Sequence, residues 1–273
     1  MAQEVFKRIE KKYLINKQQY HQLLDRMKDY VVEDKYSNYT IRNIYFDTDN
    51  DELIRTSIDK PVYKEKFRVR CYNQPDENSD IFLEIKKKFD GVVYKRRVVI
   101  PFHQVESFLS NPQIGDQNPQ IQQEIAYVLQ HYNLKPRLYL AYDRVAFHGI
   151  EDKNFRITFD TNIRSRRSNL SLTCDDNVKN LLKPDEVLME VKIPGAFPLW
   201  FSQILTSLGI TNVSFSKYGM IYKNELAQQG GKIYAGIIER TNNTGNNVNR
   251  QSDRLRLRGG GRNTWSFGFH HVS

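Results

Sequence analysis

The chain has 273 residues, of which 27% are charged and 39% hydrophobic, and its formal net charge is +9. No apolar run approaches the roughly 20 residues of a membrane-spanning helix, and the N-terminal segment lacks the apolar stretch of a signal peptide. Cys71 and Cys174 form neither a CxxC pair nor a metal-ligand spacing, which argues against a disulfide framework. We therefore expect a soluble, cytoplasmic protein with no transmembrane segment of its own, whose charge favours an anionic partner.

Eight segments alternate apolar and polar residues with the period of a β-strand. The turn-like residues between them include Asp90-Gly91, a favoured pair for a tight hairpin. Because an even number of strands in up-and-down order can close on itself, we expect an α+β, mainly β fold: a closed eight-stranded antiparallel tunnel barrel with flanking helices. In chain order, the predicted strands cover residues 5–15, 39–47, 63–73, 80–88, 92–100, 137–147, 154–161 and 186–193.

Four helices are predicted around these strands from capping residues and apolar stripes. Asn16 is a candidate N-cap for the first helix, and Pro119 stands where helices commonly begin. Gly209 stands where the C-terminal cap of the third helix belongs. The predicted helices cover residues 17–29, 119–132, 198–209 and 216–227.

The character of the chain changes after about residue 228. The last 45 residues, 229–273, hold seven Lys or Arg against two acidic residues, so they contribute +5 to the net charge. The stretch from Thr241 to Arg262 is rich in Asn, Arg and Gly and has little to bury. We therefore predict a folded domain over residues 1–228 and a basic, disordered tail over 229–273.

Six of the strand segments carry charged, mostly cationic side chains at every second position. Since successive side chains of a strand point to opposite faces, each series lies on one face, and the opposite face is largely apolar. One such strand alone is typical of a solvated surface, but the agreement of six indicates a cationic tunnel for a polyanion and a metal ion. The series are Arg8-x-Glu10-x-Lys12, Lys66-x-Arg68-x-Arg70, Glu84-x-Lys86-x-Lys88, Lys95-x-Arg97, Arg156-x-Thr158-x-Asp160 and Glu190-x-Lys192.

The chemistry of these side chains suits a substrate with many phosphate oxygens, because Arg offers a planar fork of donors and Lys a point charge. Glu10, Glu84 and Glu190 share the cationic faces. They are either charge-balancing partners or ligands for Mg²⁺ or Mn²⁺, which bind hard carboxylate oxygens together with substrate phosphates. The sequence contains no P-loop, no GxGxxG after a strand, no GxSxG and no HExxH.

These segments together resemble the VTC-type polyphosphate polymerase domain, a member of the triphosphate tunnel metalloenzyme, or CYTH-like, superfamily. The resemblance extends in order from about residue 5 to residue 225 and does not include the tail. The segments that carry it are Arg8-Ile9-Glu10-Lys11-Lys12-Tyr13, Tyr45-Phe46-Asp47, Phe67-Arg68-Val69-Arg70, Leu83-Glu84-Ile85-Lys86, Tyr142-Asp143-Arg144, Met189-Glu190-Val191-Lys192 and Phe215-Ser216-Lys217-Tyr218.

The resemblance implies an eight-stranded tunnel that binds ATP and polyphosphate with the help of Mn²⁺ or Mg²⁺. It implies that Glu190 holds the metal, with Glu10 as a second candidate. It also implies that Tyr142 stacks on the nucleobase, although a buried structural tyrosine explains this residue nearly as well. The implied catalytic phosphate-gripping residues are Lys12, Arg68, Arg70, Lys86, Arg144, Arg156 and Lys217, and the supporting ones are Arg97, Lys192 and Ser216.

One departure bears on the reaction. Hydrolytic and cyclase members of the superfamily begin with Glu-x-Glu-x-Lys, whereas this chain has Arg8 at the first Glu position. Losing that carboxylate weakens a second metal site and the activation of water, which favours an ATP:polyphosphate phosphotransferase. A metal-dependent triphosphatase and a noncatalytic polyanion-binding module stay as alternatives. The sequence indicates no specific nucleic-acid partner, and it leaves open whether a separate membrane protein takes part.

Overall fold

The computed structural model describes residues 9–112 and 118–243, with side-chain surroundings as far as residue 230. Six helices and a short 3₁₀ turn, Phe102–Gln104, accompany the strands of this described part. The strands are β1 (Ile9–Asn16), β2 (Val31–Glu33), β3 (Tyr39–Asp47), β4 (Tyr63–Tyr72), β5 (Asp80–Phe89), β6 (Val92–Pro101), β7 (Lys135–Gly149), β8 (Arg156–Arg166), β9 (Lys179–Asn180) and β10 (Glu186–Ile193). The helices are α1 (Lys17–Met27), α2 (Glu52–Ile58), α3 (Val105–Ser110), α4 (Pro119–His131), α5 (Leu199–Ser207) and α6 (Lys217–Asn243).

The strands form one mainly antiparallel sheet, and all eight predicted strands are confirmed within a few residues of their expected bounds. The main path runs β1-β10-β8-β7-β3-β4-β5-β6, with β2 paired to β7 and β9 paired to β8. These two short strands were not predicted. The first predicted strand also included residues 5–8, which lie outside the described residues.

The closed barrel is not confirmed, because no backbone pairing joins β1 to β6, the two ends of the path, in the described part of the chain. The segment before α6 instead bridges β1 and β4. The amide of Val213 donates to the carbonyl of Lys12 at 2.7 Å, and Lys66 Nζ of β4 lies 3.5 Å from Ser216 Oγ. The sheet therefore has a strongly curved inner face that is spanned by this segment rather than by paired edge strands.

The outer face of the sheet carries two apolar clusters, as the strand alternation predicts. One packs β3 to β6 against α3 and α4 and includes Phe67, Val69 and Leu83. The other packs β1, β8 and β10 against α1 and α5 and includes Met189 and Val191. All of these side chains are fully buried. Burial of this apolar area determines which face of each strand packs against the helices and which becomes the inner face of the sheet.

Helix ends agree with the capping residues read from the sequence. Asn16 caps α1, and its side chain and that of Gln19 form a reciprocal capping box. Gly209 follows α5 with a φ of +63°, a conformation that favours glycine. The predicted end of α6 near 227 was wrong, since the helix continues through Gly230 to Asn243. Residues 244–273 of the predicted tail lie outside the described residues.

Helices α2 and α3 were not predicted, because both are short and the first amides of α2 bond to Asp47, which precedes the N-cap position, rather than to the side chain of the N-cap residue. The carboxylate of Asp47, fully buried at the end of β3, accepts the amides of Leu53 at 2.8 Å and Ile54 at 3.0 Å. It also accepts the hydroxyl of Tyr218 at 3.2 Å, which ties α6 to the inner face. No helix in the described ranges is long and apolar enough to cross a membrane.

We expect Asp47→Asn to lower the free energy of unfolding by about 2 kcal/mol, because an amide cannot accept all of these hydrogen bonds and a buried donor is left unpaired. Urea titration followed by circular dichroism measures the change. Asp49→Asn is the matched control, since Asp49 pairs with Lys135 at the surface, and it should leave the midpoint unchanged. Equal midpoints for both variants would contradict the capping role of Asp47.

Candidate functional site

The inner face of the sheet gathers the cationic series predicted from the sequence. The strand registers place Glu10 opposite Lys192, Lys12 opposite Glu190, and Arg68 opposite Glu84. Lys86, on the far side of the cleft, acts electrostatically on Glu10 and Lys192, so β5 faces β1 and β10 across the cavity. The inner-face cations of the predicted set are Lys12, Arg68, Arg70, Lys86, Arg97, Arg144, Arg156, Lys192 and, from α6, Lys217. Arg8 lies outside the described residues.

Two carboxylates and two cations form the centre of the site. Arg144 Nε and Nη2 donate to the two oxygens of Asp160 at 2.6 and 2.7 Å. Lys217 Nζ lies 2.6 Å from Asp160 Oδ2 and 3.0 Å from Glu190 Oε1. Arg144 Nη2 is 3.6 Å from Glu190 Oε2. All four side chains are buried or nearly so, so their charges interact in a medium of low effective dielectric constant.

These contacts fix the protonation states of the cluster. Burial alone raises the pKa of Glu190, but Lys217, Lys12 and Arg144 outweigh it and hold that pKa well below its ordinary value. Burial alone lowers the pKa of Lys217, but Asp160 and Glu190 outweigh it and raise that pKa. At neutral pH, Glu190 is therefore an anion and Lys217 a cation.

Glu10 and Glu190 have the chemistry of a divalent-metal site. Lys12 Nζ lies 3.3 Å from Glu10 Oε1 and 3.4 Å from Glu190 Oε1, so one cation already sits between the two carboxylates. No group of three or more His, Cys, Asp or Glu is placed to hold a metal in the described part of the chain. The pair fits an ion that takes one or two protein carboxylates and completes its shell with substrate phosphate oxygens, as Mg²⁺ does.

A second cluster of charged side chains, with one carboxylate among several cations, lies on β4, β5 and β6. Glu84, which is 2% exposed, accepts from Arg68 Nε at 2.8 Å and also contacts Lys95. Burial raises the pKa of Glu84, but Arg68 and Arg70 outweigh it and lower the pKa to about 2. Glu84 is thus a charge-balancing residue that holds the arginines of β4 in place.

Tyr142 is buried among protein groups, whereas Ser216 is exposed. The Tyr142 ring is 4% exposed, has Lys217 Nζ 4.5 Å from its centroid, and its hydroxyl accepts from Arg70 Nη2 at 3.1 Å. Ser216 Oγ accepts the amide of Gly219 at 3.3 Å and so caps α6. The burial of Tyr142 agrees with its structural alternative, and nucleobase stacking by Tyr142 and phosphate binding by Ser216 stay predictions.

The remaining predicted residues lie toward the open parts of the face. Arg156 is paired with Asp34, which also contacts His148. Arg97 is exposed and lies over the ring of Phe82, 5.2 Å from its centroid. Lys86 is exposed, and Lys192 is half-buried beside Glu190 and Glu10. Lys86 and Arg97 are thus accessible to an extended anion along the cleft, whereas Arg156 and Lys192 already have carboxylate neighbours.

Sequence reasoning missed several inner-face residues. The sequence analysis assigns no role to Asp160, although its place in the alternating series of its strand puts it on the cationic face. The same holds for Lys66 and Lys95. Tyr45 belongs to a segment that carries the family resemblance but has no role assigned there, and its hydroxyl accepts from Arg68 Nη1 at 3.0 Å.

Lys66 and Tyr45 have strongly shifted pKa values. Burial lowers the pKa of Lys66 to about 8, with the neighbouring lysines adding to the shift. Burial raises the pKa of Tyr45, but Arg68, Arg70 and Lys66 outweigh it and lower the pKa to about 8. Raising the pH through about 8 therefore removes positive charge from Lys66 or adds negative charge to Tyr45.

We expect the affinity for inorganic tripolyphosphate to fall by about tenfold between pH 7 and pH 9, because both titrations make the face less positive. Isothermal titration calorimetry in EDTA measures this. A Tyr45→Phe/Lys66→Met double variant is the control, since ionisation of the ligand affects both proteins equally. The same pH slope in both proteins would contradict the assignment.

The arrangement can bind and orient a chain of phosphates by charge and hydrogen bonding. Among the described inner-face contacts, no Ser or Cys is hydrogen-bonded to a His, Asp or Glu in the manner of an activated nucleophile. Phosphoryl transfer needs little covalent work from a protein, since positioning and neutralisation of charge carry most of the catalysis. The face is therefore suited to reactions between phosphates.

The sequence profile of the VTC domain matches residues 7–224 of the chain. No curated protein sequence matches it.

Solved structures that are similar to the chain include the following three. A protein from Bacillus halodurans, provisionally described as an adenylate cyclase, has 16% sequence identity and a TM-score of 0.46, and the overlap covers 76% of this chain and 92% of the other. A protein from Vibrio parahaemolyticus with the same provisional description has 10% identity, a TM-score of 0.43 and coverages of 79% and 97%. A protein from Pyrococcus horikoshii OT3 has 12% identity, a TM-score of 0.43 and coverages of 80% and 99%.

Proposed function

The chain belongs to the VTC domain family, and from that premise we propose that it is an ATP-dependent polyphosphate polymerase. It transfers the γ-phosphate of ATP to the end of a growing polyphosphate chain and releases ADP. The observation that carries the proposal is the convergence of Lys12, Arg68, Arg70, Arg144 and Lys217 on one curved face. A polyanion has the charge density that such a face requires.

In this proposal, the inner face acts as a tunnel that holds two phosphate chains in line. The bridge from β1 to β4 through Val213 and Ser216 supports this, because it spans the side that strand pairing leaves open. Arg68 and Arg70 are held at fixed positions by Glu84, and Arg144 and Lys217 by Asp160. Fixed donors need no reorganisation as charge develops on the transferring phosphate.

The reaction needs no side-chain nucleophile. A terminal oxygen of the polyphosphate attacks the γ-phosphorus of ATP, and the bond from that phosphorus to the bridging oxygen of the β-phosphate breaks. ADP takes the electron pair of the broken bond. The cations of the face neutralise charge on the attacking, transferring and leaving phosphates.

Glu190, with Glu10 beside it, is the proposed holder of Mn²⁺ or Mg²⁺. When bound there, the metal supplies further neutralisation of charge on the phosphate oxygens. Both carboxylates are ionised near neutral pH: burial raises the pKa of Glu10, but Lys12 and Lys192 outweigh it and lower that pKa below its ordinary value. Arg156, Lys86, Arg97 and Lys192 bind the more distant phosphates in this account, with Ser216 as a further donor and Tyr142 beneath the nucleotide.

A time course with ATP and Mn²⁺ tests the proposal. We expect ADP to appear without an equal amount of free phosphate, because the γ-phosphate enters the polymer. Free phosphate in equal amount to ADP would instead identify a metal-dependent triphosphatase. Tight tripolyphosphate binding without turnover would leave a noncatalytic polyanion-binding module.

A further inference from the structure

Asp160 lies at the centre of the inner-face cluster and has no exposed surface. Arg144 holds both of its oxygens, at 2.6 and 2.7 Å, and Lys217 Nζ approaches one of them at 2.6 Å. Arg144 and Lys217 are two of the cations that the proposed function assigns to phosphate. Asp160 itself cannot reach a ligand in the cleft, because its oxygens are enclosed by these donors.

Glu190 contacts the same two cations less closely. Its oxygens lie 3.6 Å from Arg144 Nη2 and 3.0 Å from Lys217 Nζ. Attraction between charges grows as their distance falls, and a two-pronged arginine–carboxylate contact is the strongest form of such a pair. Asp160 is therefore the principal counter-ion of both cations, and Glu190 is the secondary one.

The two carboxylates also differ in what lies beyond them. Glu190 shares Lys12 with Glu10, whose side chain is 34% exposed to the cleft. Glu190 is therefore connected through Lys12 to a carboxylate at the cleft. The Asp160 oxygens instead contact Arg144 and Lys217, with no further charged partner among the described residues. Asp160 is therefore placed to hold the two cations, and Glu190 is placed nearer to the cleft.

We propose that Asp160 is a positioning residue that fixes Arg144 and Lys217 and thereby keeps the Glu190 carboxylate available to a divalent metal. The inference rests on the proposed function in one respect, since it takes this face as a site for phosphate and metal. Removing the charge of Asp160 leaves Glu190 as the nearest carboxylate for both cations. Arg144 and Lys217 then compete with a metal ion for the Glu190 oxygens, while the inner face as a whole becomes more positive.

This role predicts opposite changes in two binding constants for Asp160→Asn. Mn²⁺ binding, followed without nucleotide by the electron paramagnetic resonance signal of the free ion up to millimolar concentration, should weaken by about tenfold. Binding of inorganic tripolyphosphate in EDTA, measured by calorimetry, should be unchanged or tighter. A merely structural role for Asp160 would weaken both.

Asp143→Asn is the matched control. Asp143, in the adjacent strand β7, also pairs with an arginine, Arg164 of β8, at 3.3 Å, but it does not contact the Glu190 cluster. It should change neither constant. Unchanged Mn²⁺ binding in Asp160→Asn, equal loss of both ligands, or no uptake of Mn²⁺ by the wild type would each overturn the inference.

If Asp160→Asn alone does not fold, a double variant combines Asp160→Asn with Lys217→Met. It removes the buried Asp160 charge together with one of its two cationic partners. Relative to Lys217→Met, the double variant should bind Mn²⁺ several-fold more weakly and tripolyphosphate no more weakly, because Arg144 still turns to Glu190. Equal Mn²⁺ binding by the two would overturn the inference. None of these measurements needs turnover, so an inactive wild type would refute the polymerase and leave the role of Asp160 to be decided by binding.

Discussion

Glu190→Gln is expected to lower metal-dependent turnover by about a hundred- to a thousandfold while leaving tripolyphosphate binding intact or tighter. The substitution keeps the shape of the side chain and removes the carboxylate that Lys12, Lys217 and Arg144 surround. A metal loses its main protein ligand, but a polyanion loses only a repelling charge. ADP release with Mn²⁺ and calorimetry in EDTA measure the two quantities.

Glu186→Gln is the matched control for this variant, because Glu186 lies on the same strand and face and its side chain accepts the nearby backbone amide of Lys183. It should retain wild-type turnover. Survival of metal-dependent turnover in Glu190→Gln would show that the metal is held elsewhere.

Lys217→Met is expected to weaken tripolyphosphate binding by about tenfold and to lower turnover by about a hundredfold. Lys217 is the cation that α6 contributes to the cluster, and it contacts both Asp160 and Glu190. Removing it also breaks a buried ion-pair network, so we expect the free energy of unfolding to fall by about 3 kcal/mol. Assays therefore run well below the thermal midpoint of the variant.

Lys223→Met on the same helix is its control, since Lys223 is exposed to solvent. It should match the wild type in binding, turnover and stability. Wild-type binding and turnover in a folded Lys217→Met protein would remove α6 from the phosphate-binding face.

The fold was predictable wherever the pattern is local. Alternation along β4, β5 and β10 fixes which side chains turn to the core, because a shift by one residue would expose Phe67, Leu83 and Met189 together. Asn16 and Gly209 mark helix ends by their own chemistry. The inner-face cations follow from the same alternation.

What the sequence did not predict depends on contacts between distant residues. The bridge between β1 and β4 joins Val213 to Lys12, about 200 positions away in the chain. Asp160 stood in the right alternating series, but its pairing with Arg144 and Lys217 is set by how β7, β8 and α6 meet. A local sequence pattern contains no information on how these elements pack together.

The central claim is that the γ-phosphate of ATP passes to a polymer on this face. The most direct test incubates the purified protein with Mn²⁺ and ATP labelled in the γ-phosphate and resolves the products on a polyphosphate gel, with Glu190→Gln alongside. We expect a ladder of labelled chains that a polyphosphate-degrading enzyme removes, and no ladder for the variant. Label that appears only as free phosphate, or a ladder of equal strength from Glu190→Gln, would contradict it.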